Sequence, residues 1–210
     1  AKTSTGAISF MELINNVGST IGQEGRRAAL LFSIRDDHPD LWNPEDENHY
    51  DFLHVKNIPG KVEGANISVM ISNAFMEAVE KGQDWSLHFD GESGEKPFHV
   101  ERVVKARDLF DELCSSAWKS AEPGVLFVDN IKDMFASSLF GEKYEFASTN
   151  ACSEQPLDQD GVCNLGSINL GQFVLYPYTE DAVVDYTELG HAVETAIDFL
   201  DDVITREYED

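Results

Sequence analysis

What most constrains this chain is an alternation of two hydrophobic periods. Ile8 to Ile21 places Phe10, Leu13, Ile14, Val17 and Ile21 at the spacing of one helical face. Ala28 to Ile34 follows as a continuous apolar run, the pattern of a strand buried on both sides. Asn66 to Ile71 alternates polar and apolar residues like a strand, and Ala74 to Glu80 reads as a short helix capped by Ser72 or Asn73. Val103 to Trp118 carries the clearest helical stripe: Val103, Ala106, Phe110, Leu113, Cys114, Ala117 and Trp118. Val125 to Val128 and Cys163 to Leu170 read as strands, and Thr187 to Ile204 as a closing helix. Strands that alternate with helices place the chain in the α/β class. The four or five strands in view are too few to close a large barrel by themselves.

Between these elements the sequence is polar and punctuated. Ser9, with Glu12 three residues on, has the form of a capping box for the first helix. Gly22 and Gly25 break that helix before Arg26 and Arg27, which are expected to meet neighbouring acids. Arg35 to Asn57 reads as loop, with a short helix near Tyr50 to Val55. Gly82 to Pro97 and Ala147 to Asp160 also read as loop. His38 stands before Pro39, where the chain is held extended, and is expected to be structural.

Composition narrows the function. Of 210 residues 42% are hydrophobic, enough for a core, and 39 acids against 15 bases leave a net charge of −24. Such a chain lacks the basic surface needed to hold nucleic acid non-specifically or to lie on anionic lipid. A nucleotide ligand remains open, because helix N-termini and backbone N–H groups bind phosphate whatever the global charge. No apolar run reaches the length of a membrane span, and the first residues lack the apolar stretch of a signal peptide. The missing initiator Met suggests a fragment or a processed product. Three cysteines, Cys114, Cys152 and Cys163, are an odd number, which argues against a secreted disulfide framework and points to a reducing cytoplasm.

The chemistry concentrates in Ser148-Thr149-Asn150-Ala151-Cys152-Ser153-Glu154-Gln155-Pro156-Leu157 and in Gly161-Val162-Cys163-Asn164-Leu165-Gly166-Ser167-Ile168-Asn169-Leu170. In an extended segment, residues two apart point to the same side. Asn150, Cys152 and Glu154 would then converge as an amide, a thiol and a carboxylate: a hydrogen-bonding group, a sulfur reactant and a base. Cys163 follows eleven residues after Cys152, on a segment expected to be a strand running close by. Zinc is not indicated. The two cysteines lack C-x₂₋₄-C spacing and the six histidines are scattered, so no metal ligands are expected.

Together these strings resemble the catalytic subunit of ribonucleotide reductase, and most closely its adenosylcobalamin-dependent (class II) members. Ser4-Thr5-Gly6, Gly25-Arg26-Arg27, His38-Pro39-Asp40, Gly64-Ala65-Asn66-Ile67-Ser68-Val69 and Pro123-Gly124-Val125-Leu126-Phe127 follow the family order, so the likeness spans nearly the whole chain. It implies one incomplete portion of a ten-stranded α/β barrel with a central finger loop. Cys152 matches the cysteine that becomes a thiyl radical and takes the 3′ hydrogen of the ribose. Glu154 matches the base for the 3′-hydroxyl, and Asn150 the residue that hydrogen-bonds the ribose. Cys163 matches one thiol of the reducing pair. Its partner lies upstream of Ser4-Thr5-Gly6 in the family, and Cys114 is read as a core residue.

The resemblance further implies substrate-binding roles for Ser148, Thr149, Gly166 and Ser167. It implies a flexible effector or specificity loop with Asn57, Lys61, Gly64 and Asn66, and a first helix that packs in a dimer and lines the effector site. The implied cofactor is adenosylcobalamin, with a radical from a separate metal-containing subunit as the alternative. Expected partners are a ribonucleotide substrate, a dNTP or ATP effector, the remaining segments of the reductase, a thioredoxin-like reductant and a second copy in a homodimer. Two rival readings are a non-catalytic nucleotide-binding or assembly fragment that needs a partner chain, and an independent thiol-redox domain.

Overall fold

The computed structural model describes residues 6–22, 28–48, 50–93 and 96–207. The chain forms two compact units, one up to Gly161 and one from Val162 on. Arg26 and Arg27 lie outside the described residues.

The first unit is built on three parallel strands in the order β1 (Leu31–Arg35), β2 (Asn66–Ile71), β5 (Gly124–Phe127). Leu31 pairs with Asn66 through to Arg35 with Met70, and Ser68 pairs with Gly124 through to Ile71 with Phe127. The central strand buries Ile67, Val69 and Ile71 on one face and Ser68 on the other. β1 starts three residues later than the apolar run suggests, since residues 28–30 are irregular. Around the sheet lie α1 (Gly6–Ile21), α2 (Asn73–Lys81) and α3 (Ala106–Ser120), with Phe52, Phe75, Leu41, Leu53 and Leu109 filling the core.

The α2 boundaries follow from local chemistry. Ser72 caps it, accepting from the Phe75 N–H at 3.1 Å, and left-handed Gly82 (φ 65°) ends it. Buried Asp36 in turn holds the Ser72 N–H (2.6 Å) and hydroxyl (2.7 Å), so β1 positions the cap.

Several expectations are corrected. Residues 82–97 are not a loop: β3 (Asp84–Ser93) and β4 (Lys96–Lys105), ten residues each, form an antiparallel hairpin. Trp85, Leu87 and Phe89 do alternate with Ser86 and His88, but the polar run Asp90-Gly91-Glu92-Ser93 that follows disguises the period. Val103 therefore belongs to β4, and α3 starts at Ala106. The buried face of α3 is Ala106, Leu109, Leu113 and Ser116. Cys114 lies a further 100° round the helix from Leu113 and is exposed, as is Trp118. Cys114 is thus not a core residue.

α1 turns the opposite way from its expected face. It buries Ile8, Met11 and Asn15, while Phe10, Leu13, Ile14, Val17 and Ile21 are 45–72% exposed. Ser9 lies within the helix rather than capping it. The cap is Asp40, whose Oδ2 accepts from the Ala7 N–H at 2.7 Å.

The chain continues through α4 (Val128–Met134), which takes in Val128, to the hairpin β6 (Phe146–Thr149) and β7 (Pro156–Asp158). The second unit holds the short pair β8 (Val174–Leu175) and β9 (Val183–Val184) and the long α5 (Tyr186–Glu207). The Asp185 carboxylate starts α5 by accepting from the N–H groups of Thr187 and Glu188, each at 3.1 Å. Residues 163–169 are irregular rather than a strand, because their polar side chains bond locally and to α5 instead of to a neighbouring strand. No helix among the described residues is long and apolar enough to cross a membrane.

Candidate active site

The β6–β7 pairing sets Thr149 opposite Pro156, which leaves Asn150 to Gln155 as a six-residue turn. Asn150 closes it. Its N–H donates to the Gln155 carbonyl (3.1 Å), its Oδ1 accepts from the Gln155 N–H (3.0 Å), and its carbonyl accepts from the Ser153 N–H (3.0 Å). Ser153 takes a left-handed conformation (φ 69°), and this folds the tip back. The window is therefore a tight turn, and the extended i, i+2, i+4 geometry is corrected. Asn150, Cys152 and Glu154 still share one short loop, but the Asn150 oxygen is spent on the turn. Cys152 and Glu154 are exposed at the tip, and their side chains make no hydrogen bond or ion pair among the described residues.

The base of the hairpin is tied to the sheet. Ser148 Oγ lies 3.1 Å from Ser33 Oγ on β1, and the Thr149 hydroxyl donates to the Asn150 carbonyl at 3.1 Å. The tip is tied as well: Asn66 Nδ2, at the start of β2, donates to the Ala151 carbonyl at 2.6 Å. These links join residues 115 and 85 positions apart, and no local pattern announces them. Beside Ser33 opens a cavity of about 590 Å³, lined also by Arg35, His38, His88 and Asp90. Burial lowers the pKa of His38, and its Nδ1 accepts from the Asp40 N–H at 3.0 Å.

Cys163, Gly166 and Ser167 belong to the second unit and are exposed. Asn164 Nδ2 anchors this segment to the Leu200 carbonyl of α5 at 2.8 Å. Gly166 and Ser167 line a groove of about 590 Å³ with Leu165, Phe173, His191 and Phe199.

Residues 57–66 are anchored throughout rather than free-standing. Asn57 Nδ2 donates to Ser116 Oγ (2.9 Å), and the Gly64 N–H donates to Asn15 Oδ1 (2.8 Å). A Cβ on Gly64 would come within 3.0 Å of that oxygen, so glycine permits the approach. Lys61 Nζ pairs with Glu12 Oε2 at 2.7 Å, and Glu12 also accepts from the Tyr50 hydroxyl at 2.6 Å. The bonds from Lys61 and then Tyr50 hold the Glu12 carboxyl below its ordinary range. Glu12 thus serves the loop and not a capping box. Lys56 Nζ completes the anchoring by donating to the carbonyls of Val62 (3.1 Å) and Ala65 (2.7 Å).

One further cluster escaped the sequence reading. Buried His54 lies between Asp51 Oδ1 (2.7 Å from Nδ1) and Glu112 Oε1 (2.8 Å from Nε2). The Asp51–His54 spacing of one helical turn was its only sequence signal. Among the described residues no group of three or more His, Cys, Asp or Glu is placed to hold a metal ion.

Residues 1–209 match the family described as "Ribonucleotide reductase, barrel domain". The chain is 32% identical over 202 residues to a vitamin B12-dependent ribonucleoside-diphosphate reductase of Thermoplasma acidophilum, covering 95% of this chain and 24% of that protein. It is 32% identical over 206 residues to the enzyme of the same description from Mycobacterium tuberculosis, covering 96% and 26%. A vitamin B12-dependent ribonucleotide reductase of Rhodopirellula baltica is 29% identical over 216 residues, covering 92% and 19%. The chain therefore spans about a quarter or less of the length of these curated relatives. With almost every residue inside the family match, and with parallel strands interleaved with helices as such a barrel requires, the chain is a part of the α/β barrel domain of the ribonucleotide reductase family.

Proposed function

We propose that this chain supplies the radical-bearing thiol of an adenosylcobalamin-dependent ribonucleotide reductase, which converts ribonucleotides to deoxyribonucleotides. One observation carries the reading: a turn closed by Asn150 presents Cys152 and Glu154 together and exposed, on a hairpin fixed to the sheet at both base and tip. The vitamin B12-dependent relatives support it.

The Cys152 sulfur radical takes the C3′ hydrogen of the ribose, which re-forms S–H and leaves the unpaired electron on C3′. A thiol suits this step because its S–H bond is close in strength to the ribose C–H, so transfer runs in both directions. Glu154 accepts the 3′-hydroxyl proton and so pushes electron density toward C2′. The 2′-hydroxyl departs as water with a proton from the reducing thiols. That pair, to which Cys163 belongs, gives a hydrogen atom to C2′ and then one electron, ending as a disulfide, while Glu154 returns its proton to the 3′-oxygen and the Cys152 S–H returns its hydrogen to C3′, which restores the sulfur radical. Asn150 Nδ2 makes no hydrogen bond among the described residues and is available to the sugar. Ser148, Thr149, Gly166 and Ser167 are the residues assigned to substrate binding.

Adenosylcobalamin, when bound, supplies the radical. The turn tip fits such an external source, since the exposed Cys152 sulfur can be reached; no side chain of this chain is assigned to hold the corrin. The exposed apolar stripe of α1 suits a homodimer contact. Loop 57–66 behind it, with Lys61 and the Gly64 turn, suits the region where a dNTP or ATP effector acts. A thioredoxin-like protein would re-reduce the thiol pair, and three free cysteines suit a reducing cytoplasm.

The test is Cys152→Ser in the reductase that carries this chain. Deoxyribonucleotide formation is expected to fall to background while ribonucleotide binding persists. Turnover surviving in the variant would overturn the proposal.

A further inference from the structure

We infer that Asn66 is a positioning residue for the reaction: its side-chain amide sets the orientation of the peptide that carries Cys152. The inference rests on the role proposed above for Cys152. Asn66 Nδ2 donates to the Ala151 carbonyl at 2.6 Å, a short bond between an uncharged donor and acceptor. That carbonyl belongs to the planar unit that also contains the Cys152 nitrogen, so fixing the oxygen fixes the plane from which the Cys152 side chain projects. The atom assignment is forced, because Asn66 Oδ1 in the same place would set two acceptors against each other.

Asn66 is itself immobilised. It is the first residue of β2, pairs with Leu31, and donates its backbone N–H to the Leu30 carbonyl at 2.8 Å. A stiff sheet thus reaches the turn at the peptide next to the thiol. The Ser33–Ser148 contact from the neighbouring strand holds β6 two residues before the turn begins and does not touch the peptide next to Cys152. The bonds inside the turn, all made through Asn150 and its neighbours, shape the turn but do not place it relative to the sheet. A sulfur that must meet one C–H bond needs both. Misplacement of a reacting group by about 1 Å can cost on the order of a hundredfold in rate.

The experiment uses the complete reductase with Asn66→Asp, which keeps the shape but replaces the donor by an acceptor, and with Asn66→Ala. Substrate kinetics are combined with peptide-resolved iodoacetamide labelling of Cys152, with Cys114 as an internal reference. Both variants are expected to lower kcat about tenfold or more, with KM for the ribonucleotide within about twofold. The labelling rate of Cys152 is expected to shift at least about threefold, with that of Cys114 constant, the mark of a change confined to the turn. A kcat within twofold of the parent overturns the inference. So does a parallel change at both cysteines, which would mean general loosening. Cys152→Ser is run alongside: activity in that variant defeats the reading of Cys152 itself, whereas an inactive Cys152→Ser beside a normal Asn66→Asp defeats only the role of Asn66.

Discussion

One carboxylate starts α1. Asp40 Oδ2 accepts from the Ala7 N–H, just after the left-handed Gly6 (φ 77°), and brings negative charge to the positive end of the helix. Asp40→Ala is expected to cost about 1 kcal/mol in urea denaturation, and Asp40→Asn less, since the amide oxygen can still accept. An equal loss in both variants would mean that charge and not the hydrogen bond matters. The sequence offered a cap at Ser9 because capping boxes are read locally. The true cap comes from 33 residues away, and local spacing cannot encode it. Cys152 and Glu154 show the other side of this. Their proximity along the chain was legible, but the form of the turn was not, because it depends on Asn150 bonding across it and on Ser153 accepting a positive φ.

Between elements, the His54 clamp joins the segment before loop 57–66 to α3 through Asp51 and Glu112. Burial alone would lower the His54 pKa, but the hydrogen bonds to Asp51 and Glu112 outweigh it, and the net direction is upward. The group binds its proton more tightly folded than unfolded. Its contribution to stability is therefore complete below the unfolded value near pH 6.5 and is lost as pH rises through the higher folded value. His54→Gln is expected to remove this pH dependence and to cost about 1–3 kcal/mol at pH 6, read by thermal melts across pH. A parent chain whose stability is flat from about pH 6 to 8 would refute the clamp. At this scale the sequence succeeded where one period dominates, as in β2, α2 and α5. It failed for the β3–β4 hairpin, where a strand with a solvated face mixes charge into its alternation. It placed the wrong face of α1 inward, because the wider apolar stripe faces out and a narrow Ile8, Met11, Asn15 stripe makes the core contact.

For the whole molecule, a charge of −24 on 210 residues opposes compaction through self-repulsion. Raising KCl from about 0.05 to 1 M shortens the screening length from about 14 Å to 3 Å. The melting temperature is expected to rise over that range, and indifference to salt would show that the charges are already paired or spread too far to matter. From sequence alone came the α/β class, the strands and helices with a clean period, the acidic character and the short window that holds Asn150, Cys152, Glu154 and Cys163. These follow from periodicity, composition and adjacency, which are properties of the chain itself. Only the tertiary structure decided which face of α1 is buried, that Cys114 is exposed, that residues 57–66 are anchored, and that Asn66 and Ser33 hold the hairpin. Each of those depends on a contact between residues distant in the chain, and such contacts are selected by packing once the sheet has formed.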